Sequence, residues 1–317
     1  MKFISPKIKQ FLLLITKLLV VGLAFYFIKS QLSEKEFNWD IISQSIAQKK
    51  GYWYLFFLLV LTFLNRFIEI LKWQNLAQTV RSTSVWESTQ QVLSAITLGI
   101  FTPNGIGEYV GKALFYKKDE TGKIILLNMI CNGIQVLYAV SFGLAGVFYI
   151  NSLHGFLPAY TSVILFGVIL LLFVLFFALR KVTIKTYSLE LLLQNIKKIP
   201  QKKHLKNITL ALLRYLVLLH QYVLLYHFFG VEISYFTLIA VVAAVYLLAS
   251  SLPNFQALDF ALKGSVAIYL FGFFGVDEWV VTIVATLIWI LNLVIPISIG
   301  SIFVLLIQPK KLFQENG

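Results

Sequence analysis

Two stretches of the chain carry the same polar residues inside apolar sequence. The first holds Pro103-Asn104, Glu108 and Lys112, and the second holds Pro253-Asn254, Asp259 and Lys263. In each, an acid stands four residues before a lysine and just after a proline–asparagine pair. Ionisable groups at membrane depth are costly, and chains that keep them there generally use them. The lysines can hold an anion; the acids can neutralise the lysines or titrate during a transport cycle. If a short helix begins at each Pro-Asn turn, its free N–H groups and positive dipole end offer an anion site. Gly105 and Gly107 would let a ligand approach that backbone closely. A structural reading stands beside this one: Asn104 and Asn254 as helix caps, Glu108 in a capping box, acid and lysine as ordinary helical ion pairs. The occurrence of the pattern twice, in matching places, favours function.

A third cluster, Asn65-Arg66-Phe67-Ile68-Glu69-Ile70-Leu71-Lys72-Trp73, ends an apolar segment. Asn65, Glu69 and Lys72 share one helical face, with Arg66 beside it. Lys72 and Trp73 fit interface anchors. Arg66 has the fork to grip a phosphate in a bidentate way, or to pair with Glu69. Asn292, Pro296 and Gly300 in the last apolar segment suit packing or a kink better than ligation.

The elements that position these residues follow from composition. Of 317 residues, 59% are hydrophobic and 13% charged, with a mean hydropathy of +0.82. A soluble domain could not bury that much apolar surface, so the chain is read as an all-α polytopic membrane protein. Its formal charge of +13 lies between the apolar segments, where it sets topology and meets anionic lipid; nucleic acid is not an expected partner. One cysteine, Cys131, excludes an internal disulfide, and four histidines without ligand spacing offer no metal site. No cofactor motif and no nucleophile–base set is present, so catalysis is not expected.

Six full spans are predicted: about Phe11 to Ile28, Tyr52 to Trp73, Ile124 to Ile150, Tyr160 to Leu179, Ile208 to Phe229 and Trp279 to Ile307. Two more apolar regions, Val85 to Tyr116 and Tyr235 to Phe274, are interrupted by Thr102-Pro103-Asn104-Gly105-Ile106-Gly107 and by Ser250-Ser251-Leu252-Pro253-Asn254. Proline and glycine break helices, so each region reads as a broken, re-entrant hairpin or as two short spans. The basic N-terminus and the 180–206 linker, with eight basic residues and one acid, mark the cytoplasm. The lysine-free connections Asn151 to Ala159 and Gly230 to Tyr235 mark the outside. These assignments agree if each hairpin leaves on the side it entered. The order span, span, hairpin, span then occurs in 11–150 and again, upside down, in 160–307, the inverted-repeat plan of many transporters. Within the linker, Leu189 to Lys203 reads as a surface helix on anionic inner-leaflet lipid or as a solvated basic segment.

The run Arg66 to Trp73, the stretch Ile100-Phe101-Thr102-Pro103-Asn104-Gly105-Ile106-Gly107-Glu108-Tyr109 and the closing Asn292-Leu293-Val294-Ile295-Pro296 resemble the lysylphosphatidylglycerol synthase transmembrane-region family, also called flippase-like domain proteins. The resemblance implies a multi-pass protein of the bacterial cytoplasmic membrane, with both termini cytoplasmic, that moves an anionic phospholipid or lipid-linked precursor between leaflets. The residues read above as substrate-binding are Arg66, Glu69, Asn104, Gly105, Gly107, Glu108, Lys112, Asn254, Asp259 and Lys263. Only ten residues follow Ile307, so the synthase chemistry is not carried over. Lysine stands where the family often has arginine after the hairpin acids, and it lacks the guanidinium fork. The alternatives are an ion-coupled small-solute transporter and a non-transporting partner of a membrane lipid or envelope enzyme.

Overall fold

The computed structural model describes residues 15, 51–100, 102, 105–158, 160–161, 189–251 and 258–306. Nearly all of the predicted spans Phe11 to Ile28 and Tyr160 to Leu179, almost all of the N-terminal segment, residues 180–188 of the 180–206 linker and both Pro-Asn pairs lie outside these residues. Among the described residues every regular element is helical. In chain order they are α1 (Gly51–Ala77), α2 (Val85–Gly99), α3 (Gly107–Ala113), α4 (Thr121–His154), α5 (Leu189–Lys197), α6 (Gln201–Phe228), α7 (Tyr235–Ser250), α8 (Asp259–Gly272), α9 (Glu278–Trp289) and α10 (Ile295–Leu306). A π-helical turn, Ile290–Val294, joins α9 to α10.

Among the described residues four helices are long and apolar enough to cross a membrane: Tyr52–Ala77, Lys118–His154, Gln201–Phe228 and Glu278–Leu306. They correspond to four of the six spans read from sequence. The two broken regions are helical pairs, as their prolines and glycines require. The pair α2–α3 turns at Gly105, whose φ of 68° only glycine adopts without strain.

Both ends of each pair lie on one side. Arg81, just before α2, donates to the Phe115 carbonyl just after α3 at 3.2 Å. Lys123, at the start of α4, donates to the Thr79 carbonyl at 3.1 Å, so this pair opens beside the N-terminal end of α4. At the C-terminal end of α4, Tyr149 bonds Thr237 at the start of α7 at 3.1 Å. There too His154 stacks on Phe273 just after α8, with ring centroids 5.3 Å apart. The pair α7–α8 therefore opens at the opposite end of a 34-residue helix. Serine caps begin both pairs: Ser84 Oγ accepts from Glu87 N, and Ser234 Oγ, 150 positions on, accepts from Thr237 N.

Close packing repeats in the same way. Helix α7 packs chiefly on α4, and α10 on α2. A Cβ added at Gly146 would lie 2.2 Å from the Ala240 carbonyl oxygen, and one added at Gly300 would lie 2.2 Å from that of Leu93. Small residues that let backbones touch are the usual means of joining helices in lipid, where no hydrophobic force separates protein from solvent. Helices α1 and α6 pack against each other along the middle.

Candidate functional site

A cavity of about 320 Å³ lies where α1, α4, α6 and the α9–α10 helix meet the helices of both broken pairs. Its lining includes Asn65, Arg66 and Glu69 of α1, Arg214 and Tyr222 of α6, and Glu108, Asp259, Lys263 and Asn292. Five of the ten residues singled out in the sequence thus meet at one place: Arg66, Glu69, Glu108, Asp259 and Lys263.

The core of the site is an ion-pair and amide network. Glu69 Oε2 accepts from Arg66, one turn earlier on its own helix, and pairs with Arg214 at 3.3 Å. Arg214 Nε donates to Asn65 Oδ1 at 3.1 Å. The Gln221 amide joins three helices, accepting from Asn65 at 3.4 Å and Asn292 at 3.2 Å while donating to Thr62 at 2.8 Å. Arg66 also donates to the Asn292 carbonyl. In an α-helix that carbonyl would take its hydrogen bond from residue 296, and Pro296 has no N–H to give. Arg66 supplies a donor there, at the π turn between α9 and α10. Asn292 and Pro296 therefore belong to the site as well as to packing, whereas Gly300 is a packing residue.

The twin acid–lysine pattern resolves into two different arrangements. Lys263 Nζ pairs with Asp259 Oδ2 at 2.5 Å and stands over the Tyr246 ring at 4.2 Å. Both members line the cavity. Lys112 donates to Asn128 Oδ1 of α4 at 2.7 Å and stands over the Trp73 ring at 4.6 Å. It is 1% exposed and lies in the wall behind the cavity, while Glu108 faces the cavity. The helical ion pair expected in both halves is thus formed by Asp259 and Lys263, while Lys112 is drawn to the neighbouring span.

The remaining sequence-derived residues are placed as follows. Gly107 does not face a ligand: a Cβ there would come within 2.8 Å of the Leu98 carbonyl oxygen and 2.9 Å of Gly99. Its role is the close approach of α3 to α2. Gly105 supplies the turn. Asn104 and Asn254 lie outside the described residues. Lys72 and Trp73 are not interface anchors. Both are 0% exposed, with Lys72 donating to Gln135 Oε1 at 3.2 Å and Trp73 to Gln91 Oε1 at 2.5 Å.

Arg214 and Gln221 are site residues that reading the sequence misses. The signal is present: an arginine within the apolar segment Ile208 to Phe229 is as conspicuous as Arg66. Among the described residues no group of three or more His, Cys, Asp or Glu side chains is placed to hold a metal ion.

In and behind the cavity stand Arg66, Lys72, Lys112, Arg214 and Lys263 against Glu69, Glu108 and Asp259, an excess of two positive charges. Glu69 feels Arg214, Arg66, Lys112 and Lys72 together. That balance can favour an anion, and the cavity has forked and point-charge donors to meet one. No family model, no curated protein and no solved structure matches the chain.

Proposed function

We propose that the chain is a lipid translocator that carries an anionic phospholipid or lipid-linked precursor across the bacterial cytoplasmic membrane, using the cavity as its headgroup site. The observation that carries this reading is the convergence of Glu108 and Asp259–Lys263, from hairpins opening at opposite ends of α4, on one cavity with Arg66 and Arg214. Broken helices that meet at mid-depth between two halves are where secondary transporters bind cargo. The paired serine caps, the paired glycine crossings of α4 with α7 and α10 with α2, and the central α1–α6 pair support an inverted repeat. In that repeat α1 to α4 correspond to α6 to α10. On this reading the ends bearing Arg81, Lys117 and Lys203 face the cytoplasm.

A volume of about 320 Å³ suits a phosphate-bearing headgroup, and acyl chains would remain in lipid. The positive excess supports anionic over cationic cargo. The headgroup phosphate would be met by Arg66, Arg214 and Lys263, each of which already has a carboxylate to release. Transport follows if one half rocks against the other about α1–α6. The likeness of Arg66 to Trp73, Ile100 to Tyr109 and Asn292 to Pro296 to flippase-like domain proteins supports lipid as the cargo. Mass spectrometry of lipid retained by the purified chain tests the reading. Anionic lipid should be held in near-equimolar amount and lost from the Arg214→Gln variant. Retention of bulk lipid alone, unchanged by that substitution, would count against a headgroup site.

A further inference from the structure

The seam between α1 and α6 is polar well beyond the cavity. On α6, Asn207, Arg214 and Gln221 recur every seven residues; on α1, Asn65, Glu69, Lys72 and Asn75 follow at spacings of four, three and three. Both patterns keep side chains on one helical face. Leading away from Gln221 and Asn65, the seam passes Arg214 and Glu69, then Lys72, then Asn75 and Asn207. It reaches the basic end at Lys203, whose carbonyl accepts from Asn75 Nδ2 at 2.8 Å and whose Nζ donates to Gln78 at 2.9 Å.

Midway, the hydrogen-bond inventory does not close. Asn207 is 0% exposed and Asn75 2%. Neither polar atom of the Asn207 amide, and not the Asn75 oxygen, has a hydrogen-bond partner among the described residues. Side chains on a helix lean toward its N-terminus, so Asn207 lies over the Lys203 turn that holds Asn75. Two amide oxygens and one NH₂ group without partners thus lie within about one helical turn of the Lys203 carbonyl. Bare amide groups in a membrane interior are costly. A metal cation there would meet an NH₂ group and two neighbouring lysines; an anion would meet two acceptor oxygens. Water both gives and takes hydrogen bonds and needs two to four such partners.

We propose that Asn75 and Asn207 hold a buried water, the middle of a hydrated path along the α1–α6 seam that joins the basic end of the protein to the cavity. The path solvates Lys72, Arg214 and Arg66, and so offsets the cost of keeping them charged at membrane depth. The inference rests on the two amides and holds whatever the cargo.

Radiolytic hydroxyl-radical footprinting of the full chain in lipid nanodiscs tests it, because oxidation by this method marks side chains beside bound water. Leu76 follows Asn75 directly in α1 and lies one turn past Lys72, and Leu219 is an equally enclosed leucine of α6, both 0% exposed. The path predicts that Leu76 is oxidised several-fold faster than Leu219. The double variant Asn75→Leu with Asn207→Leu should bring Leu76 down to the Leu219 rate. Equal rates in the unaltered chain, or a folded double variant with an undiminished Leu76 rate, would overturn the proposal. Should the double variant fail to fold, the comparison within the unaltered chain decides.

Discussion

Arg66 donates to the carbonyl of Asn292, the group to which Pro296, four residues on, has no N–H to give. The contact ties α1 to the π turn of the last span and fixes one side of the cavity. The proline, the π turn and the buried arginine are thus parts of one device.

That device makes a prediction about Pro296. In Pro296→Ala the helix regains an N–H for the Asn292 carbonyl, which then competes with Arg66. The last span should become straighter and more stable, while transport of lipid falls. Thermal melting and a transport assay on the same preparation check both signs; a rise in transport would contradict the coupling.

Arg66 itself should behave differently from a surface arginine. Arg66→Ala leaves Glu69 with Arg214 as its remaining guanidinium, so the loss of stability should be about 2 kcal/mol, below the roughly 3–5 kcal/mol of a fully broken buried pair. Arg66→Lys restores the charge but not the fork, and should recover stability more fully than transport. Melting and transport measured on both variants check the order.

The two lysines should separate by phenotype. Lys263 lines the cavity, and Lys263→Met should lower transport by about tenfold or more, equivalent to at least ~1.4 kcal/mol of headgroup interaction. Lys112 lies behind the wall and bonds Asn128, whose amide nitrogen already has no partner among the described residues. Lys112→Met should therefore cost about 2 kcal/mol of stability while leaving transport per folded molecule largely intact. Equal transport defects in the two variants would contradict this division.

The crossings at Gly146 and Gly300 should be intolerant in parallel. Alanine at either position meets a carbonyl oxygen at 2.2 Å, so each substitution should destabilise by about 1–3 kcal/mol. Gly133→Ala is the control: nothing lies within 4 Å of its added Cβ, and helix propensity predicts a gain of up to about 1 kcal/mol. Melting in detergent distinguishes the three.

Charges stand out among apolar residues, which is why Arg66, Glu69, Glu108, Asp259 and Lys263 are legible in the sequence. Pro and Gly likewise mark the two broken regions. The same rule, applied evenly, finds Arg214. What spacing cannot say is which third residue competes for a charge. Glu108 and Lys112 have the spacing of Asp259 and Lys263, but Asn128 of the next span claims Lys112. Gly107 reads as a ligand contact because sequence shows that a backbone is accessible, not what approaches it; in the fold it is α2. The Pro296–Asn292–Arg66 relation is invisible to spacing, since it joins residues 226 positions apart.

The central claim is that one mid-membrane cavity moves anionic headgroups between leaflets. Leaflet-resolved transport of a fluorescent phosphatidylglycerol in proteoliposomes tests it most directly, comparing the unaltered chain with a folded Arg214→Gln, Lys263→Gln variant. The account predicts movement by the unaltered chain and a fall of at least about tenfold in the variant, in keeping with the loss of two charged contacts. Equal rates from both proteins, or no movement above protein-free vesicles, would contradict it.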